Sequence, residues 1–257
     1  RLRREQRYRV FRRLRRAPGG FPRAHWHDPA TQSAPQPVVV WCSNDCLGMS
    51  QHPAVLGASA AALARYGAGA GGTRNISGTH DLIAELEAEL AALHARGGAL
   101  VFSSGYVAND ATLATLGSML PGCVIFSDAN NHASMIEGIR RSRADRRVFA
   151  HNDPQALAAQ LAAVPPGRPR LVAFESLYSM DGDIAPLAQL LAVAREHGAM
   201  TYVDETHAVG VHGPTGGGLL EAHGLLDQVD FIQGGLGKGY GVVGGFVTAS
   251  AEAIDFV

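Results

Sequence analysis

The chain has 257 residues, 46% hydrophobic and 18% charged, which is enough apolar material to bury a core and excludes a disordered polymer. Its 22 basic and 23 acidic side chains nearly cancel, but nine of the 21 arginines fall in residues 1–16 against Glu5 alone, so that arm is +8 and the rest of the chain is −9. No apolar run approaches the roughly eighteen residues of a membrane-spanning helix, and Cys42, Cys46 and Cys123 form no CxxC pair, which argues against a disulfide framework or a structural zinc site.

These features suggest a cytoplasmic protein with no metal and no membrane partner. A nucleic-acid role would rest on the basic arm alone. An Arg-rich, acid-poor start also suits a transit peptide.

In chain order, residues 1–16 read as a basic helix and residues 17–37, rich in Pro and polar groups, as an extended arm. From residue 38 short apolar runs alternate with longer Ala/Leu stretches. Strands are expected at Val38–Cys42, Ala99–Phe102, Cys123–Ser127, Arg147–Ala150, Leu171–Glu175, Met200–Asp204, Phe231–Gln233 and Val242–Thr248. Helices are expected at 53–66, 80–95, 106–117, 132–142, 154–163 and 186–197. Helix 80–95 has the clearest stripe, formed by Leu82, Leu86, Leu90 and Leu93.

Strand–helix alternation implies an α/β fold, a mostly parallel mixed sheet with helices on both faces. The expected division is a basic helix and arm over 1–37 and a large domain over 38–257. In such sheets ligands bind beyond the carboxyl ends of the strands, so the residues just after each strand are the ones to inspect.

Lys238 is the single lysine and sits in Gly234-Gly235-Leu236-Gly237-Lys238-Gly239-Tyr240-Gly241. Arginine does every other cationic task here, but a guanidinium cannot shed its proton and attack a carbonyl, so a Schiff-base role explains the exception. A P-loop does not fit, because Gly239 follows the lysine and Ile232 stands where the first glycine is needed.

A lysine holding pyridoxal phosphate needs a carboxylate for the ring nitrogen, a group stacked on the ring, and a phosphate cradle. Asp204 ends an apolar strand, with His207 three residues on; an aspartate there would alternatively be a plain helix cap. Ser103-Ser104-Gly105-Tyr106 lies between a strand and a helix, which suits an anion or an ordinary N-cap. His132 follows the strand that ends near Ser127. The glycine-rich loop from Gly67 to Thr79 lies between two helices and is no dinucleotide fingerprint; so long and glycine-rich a loop either lets a ligand come close to the backbone or moves.

Together these segments resemble the α-oxoamine synthases, fold-type I pyridoxal-phosphate enzymes. The likeness is carried by Tyr8-Arg9-Val10-Phe11, Trp41-Cys42-Ser43-Asn44-Asp45, Gly71-Gly72-Thr73-Arg74-Asn75-Ile76-Ser77-Gly78-Thr79, Asn131-His132-Ala133-Ser134, Tyr178-Ser179-Met180-Asp181-Gly182-Asp183, Asp204-Glu205-Thr206-His207 and the lysine loop.

The resemblance implies that Lys238 holds pyridoxal 5'-phosphate and moves the α-proton, that Asp204 pairs with the ring nitrogen, and that His207 and Ser179 contact the ring oxygen. It places His132 over the ring and Ser104, Gly105 and Tyr106 at the phosphate. Arg9, Thr73, Asn75, Ile76 and Ser127 would bind a succinyl group, with Asn44 near glycine. The implied reaction condenses glycine with succinyl-CoA to give 5-aminolevulinate, CoA and carbon dioxide, a precursor of haem and other tetrapyrroles or of a secondary pathway. The sites would be shared across a homodimer, with the glycine-rich loop reaching in from the other subunit.

Three departures stand out. Gly235 replaces a usual Thr, Cys46 replaces a usual Tyr, and a C-terminal domain that relatives carry is expected to be missing after Val257. The alternatives are a sister synthase using another acyl-CoA, of the glycine C-acetyltransferase or 8-amino-7-oxononanoate synthase type, and a non-catalytic subunit of the same family.

Overall fold

A computed structural model describes residues 1–28 and 34–257. The chain forms two compact units, Arg1–Gly67 and Ala68–Val257. The boundary thus falls after the first long helix, thirty residues beyond the division expected at residue 37.

The first unit holds a three-stranded antiparallel sheet, β1 (Arg13–Arg15), β2 (Arg23–His27) and β3 (Gln36–Val39), followed by helix α1 (Pro53–Tyr66). The expected basic helix over 1–16 does not form. A helix would align Arg3 with Arg7, Arg9 with Arg12 and Arg13, and Arg12 with Arg16, each pair repelling at helical spacing. Leu2, Tyr8, Val10 and Phe11 are all exposed, so no buried apolar face offsets that repulsion. The segment instead makes one turn, with the Arg7 N–H donating to the Leu2 carbonyl, and then pairs Leu14 opposite Trp26. The third strand lies earlier than expected, at 36–39 instead of 38–42. Helix α1 begins as its sequence suggests, with Pro53 in the first turn and the His52 ring accepting the Ala54 N–H.

The second unit is a seven-stranded sheet ordered β4 (Gly98–Phe102), β10 (Gly245–Ala249), β9 (Phe231–Gly235), β8 (Met200–Asp204), β7 (Arg170–Glu175), β5 (Val124–Asp128), β6 (Asp145–Phe149). Neighbouring pairs are parallel except those of β10, which runs antiparallel to both β4 and β9. The sheet is therefore mixed and mostly parallel, as the alternation implied.

Period-two alternation sends Val124, Phe126, Val172, Phe174, Val203 and Ile232 to one face, against α5 (Pro154–Ala162), α6 (Leu187–Glu196) and α7 (Leu219–Ala222). Ile125, Leu171, Ala173, Tyr202 and Val247 go to the other face, against α3 (Gly105–Met119) and α4 (Ala133–Ser142). Leu90 and Ala91 of α2 (Asp81–Leu93) cover Ala99 and Phe246 at the β4 edge. The Leu stripe of α2 is only partly used: Leu86 is exposed, and the half-buried Glu87 takes up its share of the inner surface.

Two short helices escaped the periodicity, α7 and α8 (Ala251–Phe256), because neither completes two turns. The last strand starts at Gly245 and not at Val242. Gly244 has φ +139°, a conformation closed to side chains, so the chain turns there and leaves Val243 88% exposed.

Candidate active site

The carboxyl ends of β4, β5, β7, β8 and β9 feed a cavity of about 320 Å³ lined by residues including Ser104, Tyr106, His132, Glu175, Asp204, His207 and Lys238. A larger hollow of about 660 Å³ opens at the opposite ends of β8 and β9, beside Arg96, Arg195, Asp227 and Asp230, and holds none of the expected residues.

Asp204 is buried, and both of its oxygens are engaged. Oδ2 accepts from Asn109 Nδ2 at 2.7 Å and Oδ1 from the Thr206 N–H at 2.8 Å. Asp204 is thus a local turn cap and a buried carboxylate at once. Asn109 is itself fixed, because its Oδ1 accepts the Tyr202 hydroxyl at 2.9 Å and its Nδ2 also reaches Ser134 Oγ at 3.0 Å. Those partners determine the orientation of the amide.

At the head of α3 the Ser104 hydroxyl oxygen accepts the Val107 N–H at 3.1 Å. This is an N-cap that leaves the hydroxyl proton and the first-turn N–H groups beside the cavity. Gly105 and Gly235 let the Gln233 and Thr206 side chains pack against this corner. A Cβ on Gly105 would lie 3.2 Å from Gln233 Nε2, and one on Gly235 would lie 2.7 Å from Thr206 Cγ2. The space where a larger residue at 235 would put its side chain is already taken by Thr206.

Glu175 ends β7 as Asp204 ends β8, and its Oε1 accepts the His132 N–H at 2.6 Å. Burial first, and then the neighbouring Asp204 charge, push its carboxyl well above the usual carboxylate range. The His207 imidazole is held below its ordinary value by burial and by the Lys238 charge, which favours the neutral ring. His132 Nδ1 contacts Ser134 Oγ at 2.7 Å, which sets the ring at the start of α4.

Of the residues expected at the cofactor, Lys238, Asp204, His207, His132, Ser104, Gly105 and Tyr106 all line this cavity. Ser179 does not. It stands on the turn after β7 and lines a separate hollow with Asn130, Tyr178, Met180 and Asp181. Ser127 does not line the cavity either; it is buried, and its oxygen accepts Asn131 Nδ2 at 2.9 Å.

Thr73, Asn75 and Ile76 also lie outside the cavity wall. Thr73 Oγ1 donates to Asn75 Oδ1 at 2.9 Å in a tight turn over Arg74–Gly78, and Ile76 is exposed. The turn is anchored elsewhere, by Arg74 donating to both Glu87 oxygens at 2.5 and 2.9 Å. Arg9 and Asn44 belong to the first unit. There the Cys46 thiol donates to the Asn44 carbonyl at 3.3 Å, and all three cysteines are free.

Sequence reasoning missed Asn109, Ser134, Glu175, Thr206 and Val243 as lining residues. Glu175 was within reach, being an acid at the end of an apolar strand. Asn109 gives no such signal, since a polar residue inside an Ala/Leu helix reads as solvent-facing.

Residues 36–257 match the family described as aminotransferase class I and II. The chain belongs to that family. Among curated members of similar sequence, the 5-aminolevulinate synthase of Bradyrhizobium diazoefficiens is 53% identical over 257 residues, all of this chain and 62% of the relative. A solved structure described as SPT with PLP internal aldimine superposes with a TM-score of 0.83 at 36% identity, covering 91% of this chain and 56% of that one. The serine palmitoyltransferase of Sphingomonas wittichii gives 0.80 at 35% identity, covering 86% and 55%. This aminotransferase-family chain therefore spans about three-fifths of the length of the curated relatives it matches.

Among the described residues, no helix is long and apolar enough to cross a membrane, and no group of three His, Cys, Asp or Glu side chains is arranged to hold a metal ion.

Proposed function

We propose that the cavity holds pyridoxal 5'-phosphate on Lys238, and that the protein condenses glycine with succinyl-CoA to 5-aminolevulinate, releasing CoA and carbon dioxide. The observation that carries the reading is the meeting of the only lysine, a buried strand-end carboxylate and the N-terminus of a 15-residue helix in one cavity.

The residues present fit that cofactor. A phosphate suits the first-turn N–H groups of α3 and the Ser104 hydroxyl. Asp204 suits a protonated ring nitrogen, and Asn109 and the Thr206 N–H keep it aimed. The neutral His207 ring offers a hydrogen bond to the ring oxygen, and His132 covers the ring face.

When bound, the cofactor supplies an electron sink for the carbanion at the glycine α-carbon. Lys238 has two tasks, holding the cofactor and then, once displaced, carrying the α-proton, which only an amine able to shed its own proton can do. Glu175 holds His132 through its N–H. We assign Arg9, with its fork of donors, to the succinyl carboxylate, Asn44 to glycine, and Thr73, Asn75, Ile76 and Ser127 to the acyl group. Because Thr73, Asn75 and Ile76 do not line the cavity, a homodimer that brings the 71–79 loop to a partner's site completes the arrangement. The cytoplasm is the proposed location.

Two experiments test the reading. Borohydride reduction of the intact protein with cofactor should put the pyridoxyl mass on the Lys238 peptide. Incubation with glycine and succinyl-CoA should then yield 5-aminolevulinate. Turnover with acetyl-CoA or a long acyl-CoA in place of succinyl-CoA would reassign the donor; absence of the labelled peptide would remove the enzyme reading altogether.

A further inference from the structure

The ring of His151, at the end of β6, lies between two carboxylates: Nδ1 is 2.8 Å from Asp128 Oδ1 and Nε2 is 2.8 Å from Asp183 Oδ2. A neutral imidazole has one N–H, so it can serve only one of these acceptors. Serving both requires the imidazolium.

The surroundings are built for that charge. Asp128 is buried and also accepts the Asn130 and Asn152 N–H groups at 2.8 and 2.9 Å. Asp183 also accepts Asn152 Nδ2 at 2.6 Å, and the Tyr178 ring meets the imidazole edge-on at 4.5 Å between centroids. No Lys or Arg takes part. Asn152 has φ +53°, a left-handed conformation that lets its N–H and side chain reach both carboxylates at once.

The two acids belong to different loops. Asp128 ends β5, three residues before Asn131 and four before His132. Asp183 closes the turn that begins at Tyr178, where the Tyr178 N–H donates to the Asp183 carbonyl at 3.0 Å and the Gly182 N–H to the Tyr178 carbonyl at 3.0 Å.

We infer that His151 is a positioning residue, a cationic pin that fastens the Tyr178–Asp183 turn, with Ser179 on it, to the loop that carries His132. This deepens the cofactor reading above and rests on it for its functional consequence. Only the pinning itself is independent of that reading. The groups facing the ring are Asp128 from β5, Asp183 and Tyr178 from the turn, and Asn152 beside it. Of these, the two acids hold the imidazolium above its ordinary range in spite of burial, which acts the other way.

Hydrogen exchange of the intact protein, followed by mass spectrometry from below to above the ordinary histidine range and corrected for intrinsic rates, tests this. Residues 177–184 should lose protection by about tenfold as the ring gives up its proton, while residues 105–119 should not change. His151→Gln should show the low protection at every pH and bind pyridoxal 5'-phosphate several-fold more weakly. His151→Arg, which keeps the charge, should retain protection without the pH step.

A pH step that survives in His151→Gln overturns the inference, as does wild-type protection in that variant. Should His151→Gln not fold, Asp183→Asn, on the more open side of the pair, must reproduce the loss of protection or the inference fails. If the cofactor binds nowhere in the wild type, the enzyme reading falls while the exchange result still decides the pin.

Discussion

Asn109 and Asp204, separated by 95 positions in sequence, meet through a 2.7 Å hydrogen bond beneath the floor of the cavity. It joins the second turn of α3 to the end of β8, so the helix whose N-terminus forms the anion corner also aims the carboxylate. Asn109→Leu removes a donor from a buried charge, which costs about 1.5–3 kcal/mol. A cofactor titration of that variant should show affinity reduced by one to two orders of magnitude, with the far-UV spectrum unchanged.

Lys238→Arg keeps the positive charge and removes the ability to lose a proton. Turnover should fall by roughly 10³-fold or more. A variant that kept a substantial rate would show that charge alone is needed.

Gly235 and Thr206 compete for one space, since a methyl on Gly235 would sit 2.7 Å from Thr206 Cγ2. Gly235→Ala should destabilise the protein by about 1–3 kcal/mol in urea unfolding. Adding Thr206→Ala should recover most of that loss. The double-mutant cycle should therefore be strongly non-additive, and simple additivity would mean the backbone yields elsewhere.

Arg74 grips both oxygens of Glu87, and Glu87 Oε1 also accepts the Val101 N–H at 2.7 Å. That ties the 71–79 loop to α2 and β4, with Thr73 bonded to Asn75 and Ile76 exposed. Glu87→Gln weakens the grip without emptying the space. Its kinetics should show KM for the acyl-CoA raised several-fold and kcat changed less; equal effects on both would place the loop's role in the chemical step.

The buried Glu205 accepts the Leu219 and Leu220 N–H groups and the Ser176 hydroxyl, yet burial outweighs these and raises its carboxyl to about 6. The unfolded chain ionises it near its ordinary value, so the folded state binds the proton more tightly. The stabilisation is complete below the unfolded value and is lost as pH rises through 6, by about 2 kcal/mol. Unfolding free energies of the wild type and Glu205→Gln should diverge by that amount between these limits, the wild type falling more with rising pH.

The features legible in the sequence were those set by strong local chemistry. Apolar β-branched runs gave the strands, and the lone lysine and the strand-end Asp204 marked the cavity. The basic arm departs from the expected helix because its arginines repel one another at helical spacing. Ser179 and Ser127 rest on motif alone, and which hollow a serine lines depends on how its turn or strand packs, a tertiary matter. Glu175, Asn109 and His151 act through partners 43, 95, 23 and 32 positions away, and spacing along the chain does not record such pairings.

Strand β10 follows the other six strands of its sheet in chain order, yet it lies between β4, the first of them, and β9. Gly245 is opposite Phe102 on one side and Gly235 on the other, which joins the strand entering the anion corner to the strand entering the lysine loop. On the ribosome, residues 98–235 can emerge and pair among themselves while those two edges still lack their bridge. The cavity is therefore completed only once β10 has been made, and a nascent chain arrested before Gly245 should have no affinity for the cofactor however well its central strands have formed.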